Sequence, residues 1–135
     1  MFNMLALLLP SAPDVSLEAL ADKANALFAG NPKFRMEYET VPFQQSRNVI
    51  LRWPGWSARL FYETGNTPLK DASEIARILG EAAPPGIAES ARRIRAVFRH
   101  DPDEAYIDEM VEIMTMLENL ENVVVFDPQQ NKIMD

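Results

Sequence analysis

The chain has 135 residues, of which 47% are hydrophobic and 24% are charged, as is typical of one globular domain. Its formal net charge of −7 disfavours binding to nucleic-acid phosphates and to anionic membranes, and it favours a basic protein partner. The absence of cysteine excludes disulfides and thiolate metal sites.

The first half of the chain predicts one helix among several strands. The apolar run at 1–9 follows no Lys or Arg, so it predicts a buried strand rather than a signal peptide, and we expect a cytoplasmic protein. A helix capped by Asp14 or Ser16 comes next, and helical spacing places Leu20 and Leu27 on its apolar face. Strands are then predicted at 34–41, 48–53 and 56–63, and a mostly polar connection at 42–47 joins the first two. The last two form a hairpin across Pro54 and Gly55, because this dipeptide favours a turn.

The second half begins with a short helix and an ambiguous segment. A loop at 64–70 leads to a helix that Asp71 caps and Gly80 ends. The segment 92–99 fits both a helix and a strand by its apolar spacing. We predict a strand there, after a short helical turn at 87–91. Apolar and basic residues partly alternate in it, and the new helix that starts at Asp101 and Pro102 requires the chain just before it to be non-helical.

The last third has the clearest helix signal. Asp101 is the predicted N-cap, Pro102 stands in the first turn and Glu104 at the third position. Ile107 and Val111 widen the apolar face of this helix. A continuous apolar strand at 123–126 follows it. Together the elements predict a single α+β domain over residues 1–135. It should have two layers, with helices packed mainly on one face of a mixed, mostly antiparallel sheet.

The sequence offers little material for catalysis. His100 is the only histidine, and no spacing places it beside a serine and a carboxylate. The acidic residues that follow it, Asp101, Asp103 and Glu104, match no metal-binding loop and are the residues that a helix N-terminus favours. The glycines are isolated at turns rather than gathered in a phosphate-binding loop. We therefore predict no catalytic residue, no metal and no cofactor.

Two tryptophans are candidate contacts for a protein partner. Trp53 and Trp56 flank the predicted hairpin turn, where exposed indoles would serve as anchors. Core packing is the other interpretation, because large aromatic side chains are usually well buried.

An acidic helix face is the second candidate contact. Its residues are Glu104, Asp108, Glu109 and Glu112. No Lys or Arg occurs between Asp101 and Glu121, and neighbouring like charges one helical turn apart repel one another. The face is therefore either a docking surface for a basic protein or a solvated surface neutralised by nearby arginines. The arginines in question are Arg92, Arg93, Arg95 and Arg99.

Three stretches in the last third carry a resemblance to a known family. They are the run Arg93-Ile94-Arg95-Ala96-Val97-Phe98, the helix start Asp101-Pro102-Asp103-Glu104, and the closing run Val123-Val124-Val125-Phe126-Asp127-Pro128-Gln129-Gln130. They resemble small α/β immunity proteins found beside bacterial toxins. The resemblance implies a stoichiometric inhibitor that occludes a cognate toxin, which is commonly basic, and it implies no particular functional residue.

The sequence leaves three functional hypotheses. The first is a non-catalytic inhibitor or binding protein that takes a basic partner on the acidic helix face. The second is a small enzyme or ligand-binding domain with a pocket between the helices and the sheet. The third is a homodimer built on an exposed strand edge.

Overall fold

The computed structural model describes residues 2–41 and 46–134. The strands are β1 (Phe2–Leu8), β2 (Arg35–Val41), β3 (Ser46–Trp53), β4 (Trp56–Thr64), β5 (Arg92–Phe98), β6 (Val123–Asp127) and β7 (Lys132–Ile133). The α-helices are α1 (Leu17–Phe28), α2 (Asn66–Leu79) and α3 (Ile107–Glu118), and single 3-10 turns occur at Gly80–Ala82 and Ile87–Glu89. The predicted α+β class is confirmed.

The strands form one seven-stranded sheet in the order β2-β3-β4-β5-β1-β6-β7. Each pair of neighbouring strands is antiparallel. Because side chains alternate along a strand, each strand contributes to both faces of the sheet. Ile94 and Ala96 of β5 face one side, whereas Arg93 and Arg95 face the other.

The helices lie on both faces of the sheet, but unequally. α1 and α3 cover the larger core on one face, where Leu20 and Ile113 are fully buried against Met4 and Phe98. α2 packs with Ile87 against Leu5, Leu7 and the β6 residues of the opposite face, in a smaller second core. The expectation that helices pack mainly on one face is therefore met, and α2 adds a partial third layer.

Most predicted strands are confirmed, including the ambiguous one. Segment 92–99 forms β5 at Arg92–Phe98, paired with β1 and β4, and a short turn at Ile87–Glu89 precedes it. The hairpin of β3 and β4 turns at Gly55, whose φ of 77° lies in the left-handed region that glycine tolerates best. The predicted connection at 42–47 falls largely outside the described residues.

Two predicted helix starts are wrong. α2 begins at Asn66, directly after Gly65, so the predicted loop at 64–70 is mostly helix and Asp71 is not a cap. Pro68 is compatible with this earlier start, because the first turn of a helix leaves its N–H groups without intrahelical partners. The carboxylate of Asp71 instead accepts a hydrogen bond from Arg93 Nη1 at 2.7 Å.

The second wrong start is that of α3. This helix begins at Ile107, and Glu104 adopts a left-handed φ of 54° outside it. The Asp101 carboxylate accepts hydrogen bonds from the backbone N–H groups of Ala105 at 3.1 Å and Tyr106 at 2.8 Å. Asp101 therefore stabilises a separate turn before the helix. In the described ranges, none of the helices combines the length and apolar composition needed to cross a bilayer.

Candidate functional site

The two tryptophans belong to the core. Trp53 and Trp56 are only 5% and 3% exposed, and they face each other across the β3–β4 hairpin. Trp53 meets Phe28 edge-on at 4.8 Å between ring centroids, and Trp56 stacks on Tyr106 at 5.3 Å. Trp56 Nε1 donates a hydrogen bond to the Arg99 carbonyl at 2.8 Å. Neither indole is therefore the exposed anchor that a partner-binding role requires, and that expectation is corrected.

The structure retains part of the predicted acidic helix face. Asp108 and Glu112 are exposed on α3, one turn apart, and Glu109 is half-buried beside them. Glu104 is exposed but stands outside the helix, in a separate depression that Arg99 and other residues line. The predicted row of three carboxylates at successive helical turns is therefore wrong at its first member. We use the name acidic patch for Asp108, Glu109 and Glu112.

Three of the four arginines proposed to neutralise this face are engaged elsewhere, and Arg99 lines the depression that contains Glu104. The three pair with carboxylates at other positions: Arg92 with Asp14, Arg93 with Glu63 and Asp71, and Arg95 with Glu63. Arg93 and Arg95 extend from the sheet face opposite to α3. Within the part of the chain that the structure describes, no salt bridge within 4.0 Å involves any residue of the acidic patch. Its charges are left for solvent or a partner.

A surface groove runs between α1 and α3 next to the acidic patch. Its volume is about 520 Å³. The residues that line this α1–α3 groove are Lys23, Ala26, Leu27, Val111, Glu112, Thr115, Met116, Asn119 and Leu120. Leu27 is 42% exposed and Val111 is 48% exposed, which is unusual for large apolar side chains. Glu112 belongs both to the groove and to the acidic patch.

Two apolar residues of this groove were predicted to lie in the core. Leu27 matches the apolar face of α1, and Val111 widens that of α3, as does Ile107, which lines the separate depression beside Glu104. The structure exposes all three, because each helix turns only part of its apolar stripe toward the sheet. The sequence signal that could have indicated this exposure was the extra width of the apolar stripe on α3. The polar groove residues Lys23, Thr115 and Asn119 gave no signal, because only the packing of α1 beside α3 brings them together.

The groove and the acidic patch can act as one binding surface. Exposed apolar side chains provide area that a partner can remove from water, and each square ångström buried is worth about 25 cal/mol. The carboxylates of Asp108 and Glu112 beside them attract cations at long range and set the orientation of an approaching partner. In residues 2–41 and 46–134, no group of three or more His, Asp or Glu side chains is placed to hold a metal ion.

Comparisons with known proteins found no match: no family model, curated protein or solved structure matches this chain.

Proposed function

We propose that the protein is a non-catalytic binding protein whose α1–α3 groove and acidic patch receive a basic protein partner. The observation that carries the proposal is the juxtaposition of exposed Leu27 and Val111 with Asp108 and Glu112. An exposed apolar patch rimmed by charges is the usual form of a protein-interaction surface. The net charge of −7 adds a long-range attraction to any basic partner.

In the proposed mechanism, the charged residues control the association rate and the apolar residues control the dissociation rate. Asp108 and Glu112 speed the encounter, because complementary charges raise the association rate more than they tighten the final complex. An apolar side chain from the partner then enters between Leu27 and Val111 and slows dissociation. The matching partner surface is a basic helix or segment that carries at least one large apolar side chain.

The resemblance of the last third to bacterial immunity proteins suggests the specific form of this role. In that form the protein is a cytoplasmic, stoichiometric inhibitor, and its partner is a basic toxin whose working surface it covers. The open acidic patch and the engagement of three nearby arginines elsewhere support a basic partner over a self-neutralised surface.

The test is co-expression with the product of the adjacent gene, followed by kinetics on the purified complex. Changing Asp108→Lys and Glu112→Lys together should slow association roughly ten-fold or more at low salt, because it reverses the steering field. The difference should shrink at high salt, where ionic screening removes the field. Stopped-flow or surface-binding measurements at two salt concentrations give both rates.

A matched control separates the patch from total charge. Glu81 and Glu89 are exposed and lie outside α1 and α3, so Glu81→Lys with Glu89→Lys makes the same change in net charge at a distance. The control variant should associate nearly as fast as the unmodified protein. Equal slowing by both variants would show that net charge, rather than the acidic patch, guides association.

A small apolar ligand is the second candidate occupant. The groove volume of about 520 Å³ falls in the range of small-molecule pockets. It lies between two helices rather than between helices and sheet, so it differs from the pocket that the enzyme hypothesis predicts. Thermal-shift screening distinguishes the two: stabilisation by a small molecule that Leu27→Asp abolishes would favour a ligand-binding domain.

A further inference from the structure

The two edge strands of the sheet differ in how many free backbone N–H and C=O groups they offer to an added strand. β7 closes one edge with only the residues Lys132–Ile133, and such a short strand offers few free backbone groups. β2 closes the other edge with seven residues, Arg35–Val41, and contains no proline. No strand in the described residues pairs with its outer side. An exposed edge of this length is a template for strand addition.

A cation on β2 lacks a counter-ion. Arg35 stands directly opposite Arg52 of β3, and like charges in that relation destabilise a sheet. Arg52 is neutralised by Glu37, with which it forms an ion pair. Arg35 donates only to the carbonyls of Pro32 and Phe34, at 3.1 and 3.0 Å. Among the described residues it forms no ion pair within 4.0 Å.

An exposed aromatic side chain lies on the same strand. Tyr38 faces the side of the sheet that α1 covers, yet it remains 40% exposed. The reason is that α1 packs chiefly over β3, one strand further in. Met36 is half-buried on the same side of β2. The Arg47 guanidinium lies over the Tyr38 ring, 4.4 Å from its centroid, so one face of the ring is covered and the remainder is exposed at the edge. The edge therefore carries a partly exposed aromatic ring in addition to the unmatched Arg35.

We propose that two copies of this chain associate by antiparallel pairing of β2 with β2, with the two-fold axis at Glu37. In this register Arg35 stands opposite Glu39 of the second copy, and Met36 stands opposite its Tyr38. Both contacts occur twice by symmetry. Within its own chain, Glu39 accepts hydrogen bonds through Oε1 from Asn48 at 3.2 Å and from Arg59 at 3.3 Å. The pairing brings the Arg35 guanidinium to the same carboxylate, on the side of Oε2, and brings the Met36 thioether to the exposed part of the Tyr38 ring, a favourable contact. The two Glu37 carboxylates that meet at the axis are each already paired with Arg52.

Charge pairing and ladder length together select this register over its neighbours. An axis at Tyr38 leaves Arg35 without a carboxylate opposite it and brings Glu37 opposite Glu39 twice. An axis at Met36 sets Arg35 opposite Glu37, but it pairs only residues 35–37 within the strand, whereas the Glu37 axis pairs residues 35–39. Side chains alternate between the two faces of a strand. A two-fold axis must therefore pass through a residue if the same face of both sheets is to lie on one side of the combined sheet. The Glu37 axis thus combines matched charges with the longer ladder.

The helices leave room for this arrangement. α1 lies over β3, so the two copies of α1 would be separated by three inter-strand spacings, or about 14 Å. Packed helices need only 8–10 Å between their axes. The contact area of a five-residue ladder is small, so we expect a concentration-dependent dimer rather than an obligate one. The interface is separate from the α1–α3 groove and does not depend on the proposed function.

The absence of native cysteine makes a direct test of the register possible. Glu37→Cys places one thiol per copy at the proposed axis, where directly opposed residues are about 4.5–5.5 Å apart, within disulfide reach. Thr40→Cys is the control on the same strand, because Thr40 is exposed and the change leaves Arg35, Glu37 and Glu39 in place. In the proposed register, two residues at position 40 are offset by six positions, or about 20 Å. That separation prevents a disulfide.

The expected result is a mass that rises toward twice 15.3 kDa as concentration increases from micromolar to millimolar in light scattering. Under mild oxidation, Glu37→Cys should form a disulfide dimer much faster than Thr40→Cys does. Arg35→Glu should weaken the dimer about ten-fold, because two attractive pairs become repulsive. A monomer at all concentrations, or a dimer in which position 37 crosslinks no faster than position 40, overturns the proposal.

Discussion

Trp56→Ala should lower the free energy of unfolding by about 4 kcal/mol. Trp56 is 3% exposed, stacks on Tyr106 and Phe98, and lies directly opposite Trp53 in the hairpin. Its truncation removes a large buried area and leaves a cavity that the sheet cannot close, because antiparallel backbone pairing fixes the strand positions. Urea unfolding followed by far-ultraviolet circular dichroism measures the change. A loss below about 1 kcal/mol would contradict a core role for this indole.

Phenylalanine replacements separate the indole hydrogen bond from its volume. Trp56→Phe leaves the Arg99 carbonyl without the donor that it has at 2.8 Å. Trp53 Nε1 is buried and has no acceptor within the described residues, so Trp53→Phe removes an N–H group that gains nothing in the folded state. Both changes remove similar volume. Trp56→Phe should therefore cost about 1–2 kcal/mol more than Trp53→Phe, and equal costs would remove the hydrogen-bond argument.

Arg93→Met should lower the free energy of unfolding by about 2–3 kcal/mol. The Arg93 side chain is 7% exposed and pairs with Glu63 at 2.8 Å and with Asp71 at 2.7 Å. These ion pairs link β5 to β4 and to α2. Removing the guanidinium therefore leaves two carboxylates near the smaller core without this cation. The expected loss is below that of a fully buried pair, because Asp71 is half exposed and Arg95 still reaches Glu63. Chemical unfolding provides the measurement.

A second arginine variant supplies the control. Arg77 and Glu74 form an exposed pair on α2, three residues apart. Arg77→Met should leave the unfolding midpoint nearly unchanged, because exposed ion pairs are screened by water and salt. A loss of stability as large as that of Arg93→Met would mean that burial does not set the value of the Arg93 pairs.

The same ion pairs predict how stability depends on pH. Burial raises the pKa of Glu63, but hydrogen bonds and positive charge from Arg95 and Arg93 outweigh it, and the net pKa lies below its ordinary value. A lowered pKa in the folded state stabilises the protein at pH values above the ordinary glutamate pKa. That contribution is lost as the pH falls through the lowered value. The unfolding free energy of Arg93→Met should therefore fall less steeply over this acidic interval than that of the unmodified protein.

Local patterns predicted the sheet well because its strands carry their own signals. The alternation of apolar and basic residues in segment 92–99 favoured a strand, and β5 indeed turns Ile94 toward one core and Arg93 toward the other side. The dipeptide of Pro54 and Gly55 marked the hairpin turn for the same local reason. These features depend on a few adjacent residues, so tertiary contacts did not override them.

The starts of the helices were harder to predict, because residues that can cap a helix can also form other hydrogen bonds. Asp101 accepts backbone hydrogen bonds as a cap should, but they close a turn and the helix begins at Ile107. Asp71 has the form of a cap in sequence and instead binds Arg93 from a distant strand. Both outcomes depend on where neighbouring elements are placed. Single-residue signals do not contain that information.

The candidate site depended most on tertiary packing. The sequence identified Asp108 and Glu112 by their unopposed charge, and the structure leaves that charge free of salt bridges among the described residues. It assigned Leu27 and Val111 to the core by helical spacing, whereas the structure exposes both. How much of an apolar stripe is buried depends on the angle at which a helix meets the sheet. Only the structure could therefore place the groove beside the acidic patch.

The most direct test of the central claim is hydrogen–deuterium exchange on the complex with the product of the adjacent gene. Binding at the α1–α3 groove should slow amide exchange in the facing parts of Leu17–Phe28 and Ile107–Glu118. Exchange in α2, on the opposite face of the sheet, should change little. Protection confined to α2 or to the β2 edge, with α1 and α3 unchanged, would contradict the account.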